Sequence, residues 1–162
     1  MPTHFVYIGQ DDDMMEFLRR VSSQNDSHIR RLSPRGDVIQ GLLEDAPIAV
    51  LVDRYVHNIQ FIIDGIRSDQ RLASVPIVVC VDKPDSDFLS NAFRWGVDDY
   101  VVQNEDKSLA LVLSVLQSRD SWDVVRAPAG KAIVAHDDRL ARVKIARVLK
   151  RSGLDPIFLS SF

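Results

Sequence analysis

A single cysteine among 162 residues excludes an intramolecular disulfide. Cys80 lies inside an apolar run, the place of a small buried core residue, and so sparse a use of cysteine fits a reducing cytoplasm. There is no excess of positive charge: the formal net charge is -3, so no basic footprint argues for nucleic acid. Lys and Arg gather at 139–151, but on an expected helix that also buries apolar residues, where they read as a solvated face. No apolar stretch approaches the length that spans a bilayer. The first residues lack the charged-then-apolar layout of a signal peptide and lead straight into a strand pattern. Gly9 stands alone, so there is no phosphate-cradling loop, and no Ser-His-Asp or Cys-His arrangement follows from spacing. What remains is a chain with 46% hydrophobic residues, enough for one solid core plus a remainder, expected to be soluble and cytoplasmic.

Strand-like and helix-like segments alternate, which predicts a parallel sheet covered on both faces. Residues 4–8 read as a strand, and Met14, Phe17, Leu18 and Val21 follow at helical spacing. Residues 28–32 form a weak, polar strand suited to a sheet edge. Ile39, Leu42, Leu43 and Ala46 mark a second helix that Pro47 ends. Residues 48–52 are the central strand, and Ile59, Ile62, Ile63 and Ile66 the next buried stripe. Residues 75–81, then Leu89, Ala92 and Phe93, then 99–102, then Leu109, Val112, Leu113 and Leu116 complete five βα units. That is the size of a flavodoxin-like α/β domain, doubly wound, with strand order 2-1-3-4-5.

Residues 121–130, with Pro128 and Gly130, read as a linker between a domain at 1–120 and a segment at 131–162. There the pattern restarts. Residues 131–135 form a strand, a helix carries Ala141, Ile145, Val148 and Leu149 on one face, Gly153 stops it, and 156–159 form a strand. A β-α-β arm alone buries too little surface to stand by itself. The expectation is a fragment of a longer tandem protein, the alternative being an arm packed on the first domain or on a second copy.

Three stretches carry the chemistry. Ala49-Val50-Leu51-Val52-Asp53 is a buried strand ending on one carboxylate, and ligands of open α/β sheets bind at such carboxyl ends. Val75-Pro76-Ile77-Val78-Val79-Cys80 and Gly96-Val97-Asp98-Asp99-Tyr100-Val101-Val102 repeat the geometry. Together they resemble the response-regulator receiver family of two-component systems over residues 1–120. The arm resembles the start of a second receiver, its His136-Asp137-Asp138 standing where a first acidic cluster belongs. It ends before a phosphoacceptor strand of its own.

The resemblance implies that Asp53 occupies the phosphoacceptor position. A plainer reading makes Asp53 a strand end that caps the next helix. Of the family's three catalytic aids, none is intact. The acid pair that helps hold Mg²⁺ is replaced by Gly9 and Gln10. Asp11, Asp12 and Asp13 fall at the helix start as caps, unless a loop shift returns Asp11 or Asp12 to a metal site shared with Asp53. The lysine position holds Gln103, which cannot pair with a phosphoryl dianion, an attraction on the order of 4 kcal/mol near a surface. Lys83 and Arg54 are expected to be solvated rather than substitutes. The hydroxyl position is Val81, which donates no hydrogen bond, and Tyr100 stands at the toggling aromatic position as a ring resting on the fifth strand. His57 reads as a solvated helix-start residue and not as a phosphorelay histidine.

The expected function is therefore a degenerate receiver, or pseudo-receiver. It is a protein-interaction module without enzyme activity, cofactor or metal, using the aromatic face of Phe88, Phe93, Trp95 and Tyr100. Partners would be a histidine kinase, an output domain or a second copy, with no nucleic acid or membrane. The competing expectation is a switch phosphorylated on Asp53 with Mg²⁺, Asp11 or Asp12 and Lys83. A third is a flavodoxin-like domain with an unrelated ligand.

Overall fold

The computed structural model describes residues 3–117, 130–134, 138–151 and 154–158. Five parallel strands form one sheet in the order β2-β1-β3-β4-β5: β1 (Thr3–Ile8), β2 (Ser27–Leu32), β3 (Val50–Asp53), β4 (Ile77–Val81) and β5 (Asp99–Val102). The helices between and after them are α1 (Asp12–Gln24), α2 (Val38–Glu44), α3 (Ile59–Ser68), α4 (Ser86–Trp95) and α5 (Asp106–Gln117). The doubly wound α/β architecture read from the sequence is the one observed.

Alternation along the strands builds two cores, since successive side chains face opposite sides of a sheet. Ile8, Val52, Val79 and Val81 pack with α2, α3 and α4. Phe5, Tyr7, Leu51 and Cys80 pack with α1 and α5. Strands β3 and β4 are buried at every position, whereas edge strand β2 buries Ile29 alone, as its polar sequence requires. The Asp11 carboxylate accepts from the Met14 amide at 3.1 Å and so caps α1, with Asp12 and Asp13 in the first turn. Asp37 and Asp85 cap α2 and α4 in the same way.

The turn after α4 requires Gly96, whose φ of +110° is hard for any residue with a Cβ. Arg67, at the end of α3, closes that turn. Its guanidinium donates to the Gly96 carbonyl at 2.8 Å, to Ala73 and Val75 carbonyls at 2.9 and 2.7 Å, and to the Asp98 carboxylate at 2.9 Å. Asp98 in turn accepts from the Ile77 amide at the start of β4.

The C-terminal arm is β6 (Gly130–Val134), α6 (Arg139–Arg151) and β7 (Leu154–Phe158), the two strands pairing parallel in a sheet of their own. Gly130, expected to end the linker, opens β6 instead. The rest of that linker, with Pro128, lies outside the described residues, as do His136, Asp137 and Gly153. The helix buries Val143 and Ala146 against the first domain's core, while Ile145 and Val148, on the expected stripe, are exposed. Helix α6 has two apolar faces, and docking on the first domain selects the one with the smaller side chains.

Candidate functional site

The carboxyl ends of β1 and β3 lie side by side because Tyr7 pairs with Leu51 and Ile8 with Val52. The loops that follow β1, β2 and β3 enclose a cleft of about 370 Å³, lined by Gln10, Asp11, Arg35, Asp53, His57 and Asn58 among others. Asp53 forms its floor and is itself only 5% exposed. Its Oδ1 accepts from the Tyr55 amide at 3.1 Å. Its Oδ2 accepts from the Tyr7 hydroxyl at 3.0 Å, a bond that spans two strands and 46 residues of chain.

Tyr7 is the site residue that sequence reasoning missed. Its ring is fully buried among α1 and α5 side chains, and only the hydroxyl reaches the carboxyl edge. Burial, and then the Asp53 charge, keep that hydroxyl protonated far above the usual tyrosine range, so it serves as a donor. Gly9 makes the arrangement possible. A Cβ there would stand 2.5 Å from the Tyr7 Oη and 2.8 Å from the Asp53 Cβ. The space above β1 is therefore filled by a phenol.

The remaining expected residues are dispersed. Asp11 lines the cleft with its carboxylate turned to its own helix cap, and Asp12 pairs with Arg31 at 2.8 Å. Val81 is buried at the end of β4, and its carbonyl accepts from the Gln103 amide at 2.8 Å. Lys83 is exposed, as is His57 on the rim. Arg54 is not the solvated charge expected: it pairs with Asp85 at 3.0 Å and lies between the rings of Tyr55 and Phe88, turned to α4. Its guanidinium finds an aromatic slot and a carboxylate within reach of β3, which outweigh hydration of an open loop. Nor does Tyr100 rest on an open strand surface. Its ring is 4% exposed, edge-on to Phe93 and stacked under the Arg147 guanidinium of α6.

The electrostatics at Asp53 run against ionisation. Burial pushes its pKa up, the Tyr55 amide and Tyr7 hydroxyl pull it partly back, and the charges of Asp11 and Asp82 push it up again. A carboxyl whose pKa is raised on folding binds its proton more tightly in the folded state. The fold therefore loses stability through this group as pH rises from about 3.8 through the raised value. Asp53→Asn is expected to raise stability at pH 7 by about 0.5–2 kcal/mol and to lose that advantage near pH 3.5. Urea midpoints of both proteins at the two pH values check this. An advantage that does not change with pH would contradict it.

No family model matches the chain, and no curated protein sequence does. Solved structures do. A protein from Chloroflexus aurantiacus described as a candidate response regulator superposes with a TM-score of 0.67 at 20% identity, covering 74% of this chain and 100% of its own. The CheY-like protein TadZ of Pseudomonas aeruginosa gives 0.64 at 15% identity over 74% of this chain and 96% of its own. The receiver domain of NtrX from Brucella abortus gives 0.61 at 16% identity, with 71% and 99% covered. The fold is that of receiver domains. The matched share leaves about a quarter of this chain without a counterpart in them. Among the described residues, no helix is long and apolar enough to cross a membrane.

Proposed function

We propose that this chain is a pseudo-receiver: a two-component-type signalling module that works by protein contact, with phosphorylation chemistry lost at Asp53. The observation that carries the reading is the Tyr7 hydroxyl on Asp53 Oδ2 above a glycine that admits no side chain. Phosphoryl transfer to a carboxylate is catalysed by charge placed around the transferring group. Here one acceptor oxygen is held by a neutral phenol and the other by a backbone amide, so each oxygen already accepts a hydrogen bond and neither faces a cation among the described residues. Mg²⁺ requires several hard oxygen ligands in octahedral array. The donor set does not suit it: Gly9 offers no side-chain ligand, Asp11 caps a helix, and the phenol stands against Asp53. Among the described residues no group of three His, Cys, Asp or Glu is placed to hold a metal.

The module has no enzymatic role in this reading and needs no cofactor. Its partners are proteins: a histidine kinase, an output domain or a second copy. The test is intact-mass measurement after incubation with acetyl phosphate and Mg²⁺, with Asp53→Ala as control. The expected result is that each protein keeps its own unmodified mass. A labile phosphoryl adduct on the wild type that the Asp53→Ala protein lacks would overturn the reading in favour of the switch.

A further inference from the structure

Strand β5 ends the sheet, and an edge strand presents unpaired backbone groups that natural proteins cover, shorten or charge. Here the outward groups of Tyr100 are both taken. Its amide donates to the Asp99 carboxylate at 2.8 Å, and its carbonyl accepts from Arg147 Nη2 at 2.6 Å. The same Arg147 pairs through Nε with Asp99 Oδ1 at 2.7 Å and places its guanidinium carbon 3.5 Å from the centre of the Tyr100 ring. One turn further along α6, Arg151 donates from Nε and Nη2 to Asp99 Oδ2 at 2.9 and 2.6 Å. Between these ion pairs and α4, Val143 and Ala146 are fully buried in the cluster that holds Leu89, Phe93 and Tyr100.

Complementarity at this contact is chemical as well as steric. The sequence of α6, RLARVKIARVLKR, has six basic residues and no acidic one, and Arg147 and Arg151 among them meet the buried carboxylate of β5. The small Ala146 lets the helix approach closely. We propose that the α4–β5 edge is a docking face for a basic helix, and that α6 of this chain occupies it in cis. The arm is thus a built-in cover that keeps Tyr100 and the edge of β5 away from partners in trans. This rests on the reading of the domain as an interaction module, and it locates the face that the module must uncover to engage one. The Asp99 pairs are its clasp. A charged pair needs both partners, and truncating one side leaves the other poorly solvated.

The test uses hydrogen–deuterium exchange on the full chain. In the wild type, segments 86–95 and 99–102 are expected to be protected. Arg147→Glu with Arg151→Glu should speed their exchange at least tenfold while β1 and β3 keep their protection. Adding Asp99→Arg to that variant, which re-pairs the charges, should restore slow exchange. Unchanged protection in the double variant would overturn the clasp. Loss of protection throughout the sheet, β1 and β3 included, would overturn the cover, because α6 would then be part of the indivisible fold. The acetyl phosphate assay reads Asp53 alone, so failure there and failure here are told apart.

Discussion

Gly9→Asp, which puts an acid where the receiver resemblance places one, is expected to cost about 3 kcal/mol of stability and to leave Asp53 unphosphorylated. The cost has two sources. The new Cβ meets the Tyr7 hydroxyl at 2.5 Å, the Tyr7 ring at 2.6 Å and the Asp53 Cβ at 2.8 Å. Overpacking of this kind costs about 1–3 kcal/mol, and here the obstacles are a buried ring and a neighbouring strand, neither free to swing aside. The new carboxylate then faces Asp53, whose ionisation is already opposed by burial and by Asp11 and Asp82. Gln10→Asp is the control: Gln10 is exposed, and its replacement should stay within about 0.5 kcal/mol of wild type. Urea midpoints separate the two. A stable Gly9→Asp protein that takes up acetyl phosphate would show that the phenol is a movable stopper. The pair of changes also tests how the proposed loss would have come about. If acids had merely drifted away from an intact frame, each single reversion would be harmless.

Much of the fold was legible because its strongest signals are local. Strands β3 and β4 are runs of apolar residues buried on both faces, and no helix of four or five residues competes with that reading. Asp11 as a cap followed from the spacing of Met14, Phe17 and Leu18, and the observed bond to the Met14 amide agrees. The site was legible as a carboxylate at a strand's end and as a set of departures from the receiver resemblance. Tyr7 alternates with Phe5 along β1 and packs on the same side, so in sequence it is one more core aromatic. Its role depends on the register of β1 with β3, a pairing between residues more than 40 apart. Arg54 was misjudged because its slot is made by Tyr55, Phe88 and Asp85, from two separate loops and a helix. For α6 the periodicity allowed two apolar faces, and only contact with α4 and β5 decides between them. The aromatic face expected to receive partners is present, but its Tyr100 end lies beneath this helix.

These features divide the domain into two ends with different degrees of commitment. At the carboxyl edge the cleft is open while the carboxylate at its floor is bonded internally, to the Tyr7 hydroxyl and the Tyr55 amide. At β5 the contacts are between a helix of a separate two-stranded unit and a sheet edge, held by partly buried ion pairs: the side chains of Arg147 and Arg151 are 17% and 27% exposed and that of Asp99 10%. Under the proposed cover, regulation belongs to the second end rather than the first, since a contact between two units can open without breaking the sheet.

The β5 end depends in turn on Arg67, and Arg67→Ala is expected to destabilise the domain by about 3 kcal/mol. One guanidinium donates to three backbone carbonyls and one carboxylate, joining the end of α3 to the segment before β4 and the turn before β5. Hydrogen bonds from a charged donor are each worth about 1.5–3 kcal/mol, and the partial exposure of this group, 22% of its side chain, trims the sum. Truncation also takes the guanidinium from the Gly96 carbonyl and one donor from Asp98 while Gly96 still holds its left-handed turn. Arg67→Lys should recover little, because a single ammonium cannot reach acceptors set out on both edges of a planar fork. Asp99 and Tyr100 follow Gly96 by three and four residues, so a loosened turn shifts the carboxylate that Arg147 and Arg151 clasp. Both Arg67 variants should therefore show faster hydrogen exchange in segment 99–102 before global unfolding in urea. A lysine variant within about 0.5 kcal/mol of wild type would mean that one charge, and not the fork, closes the turn.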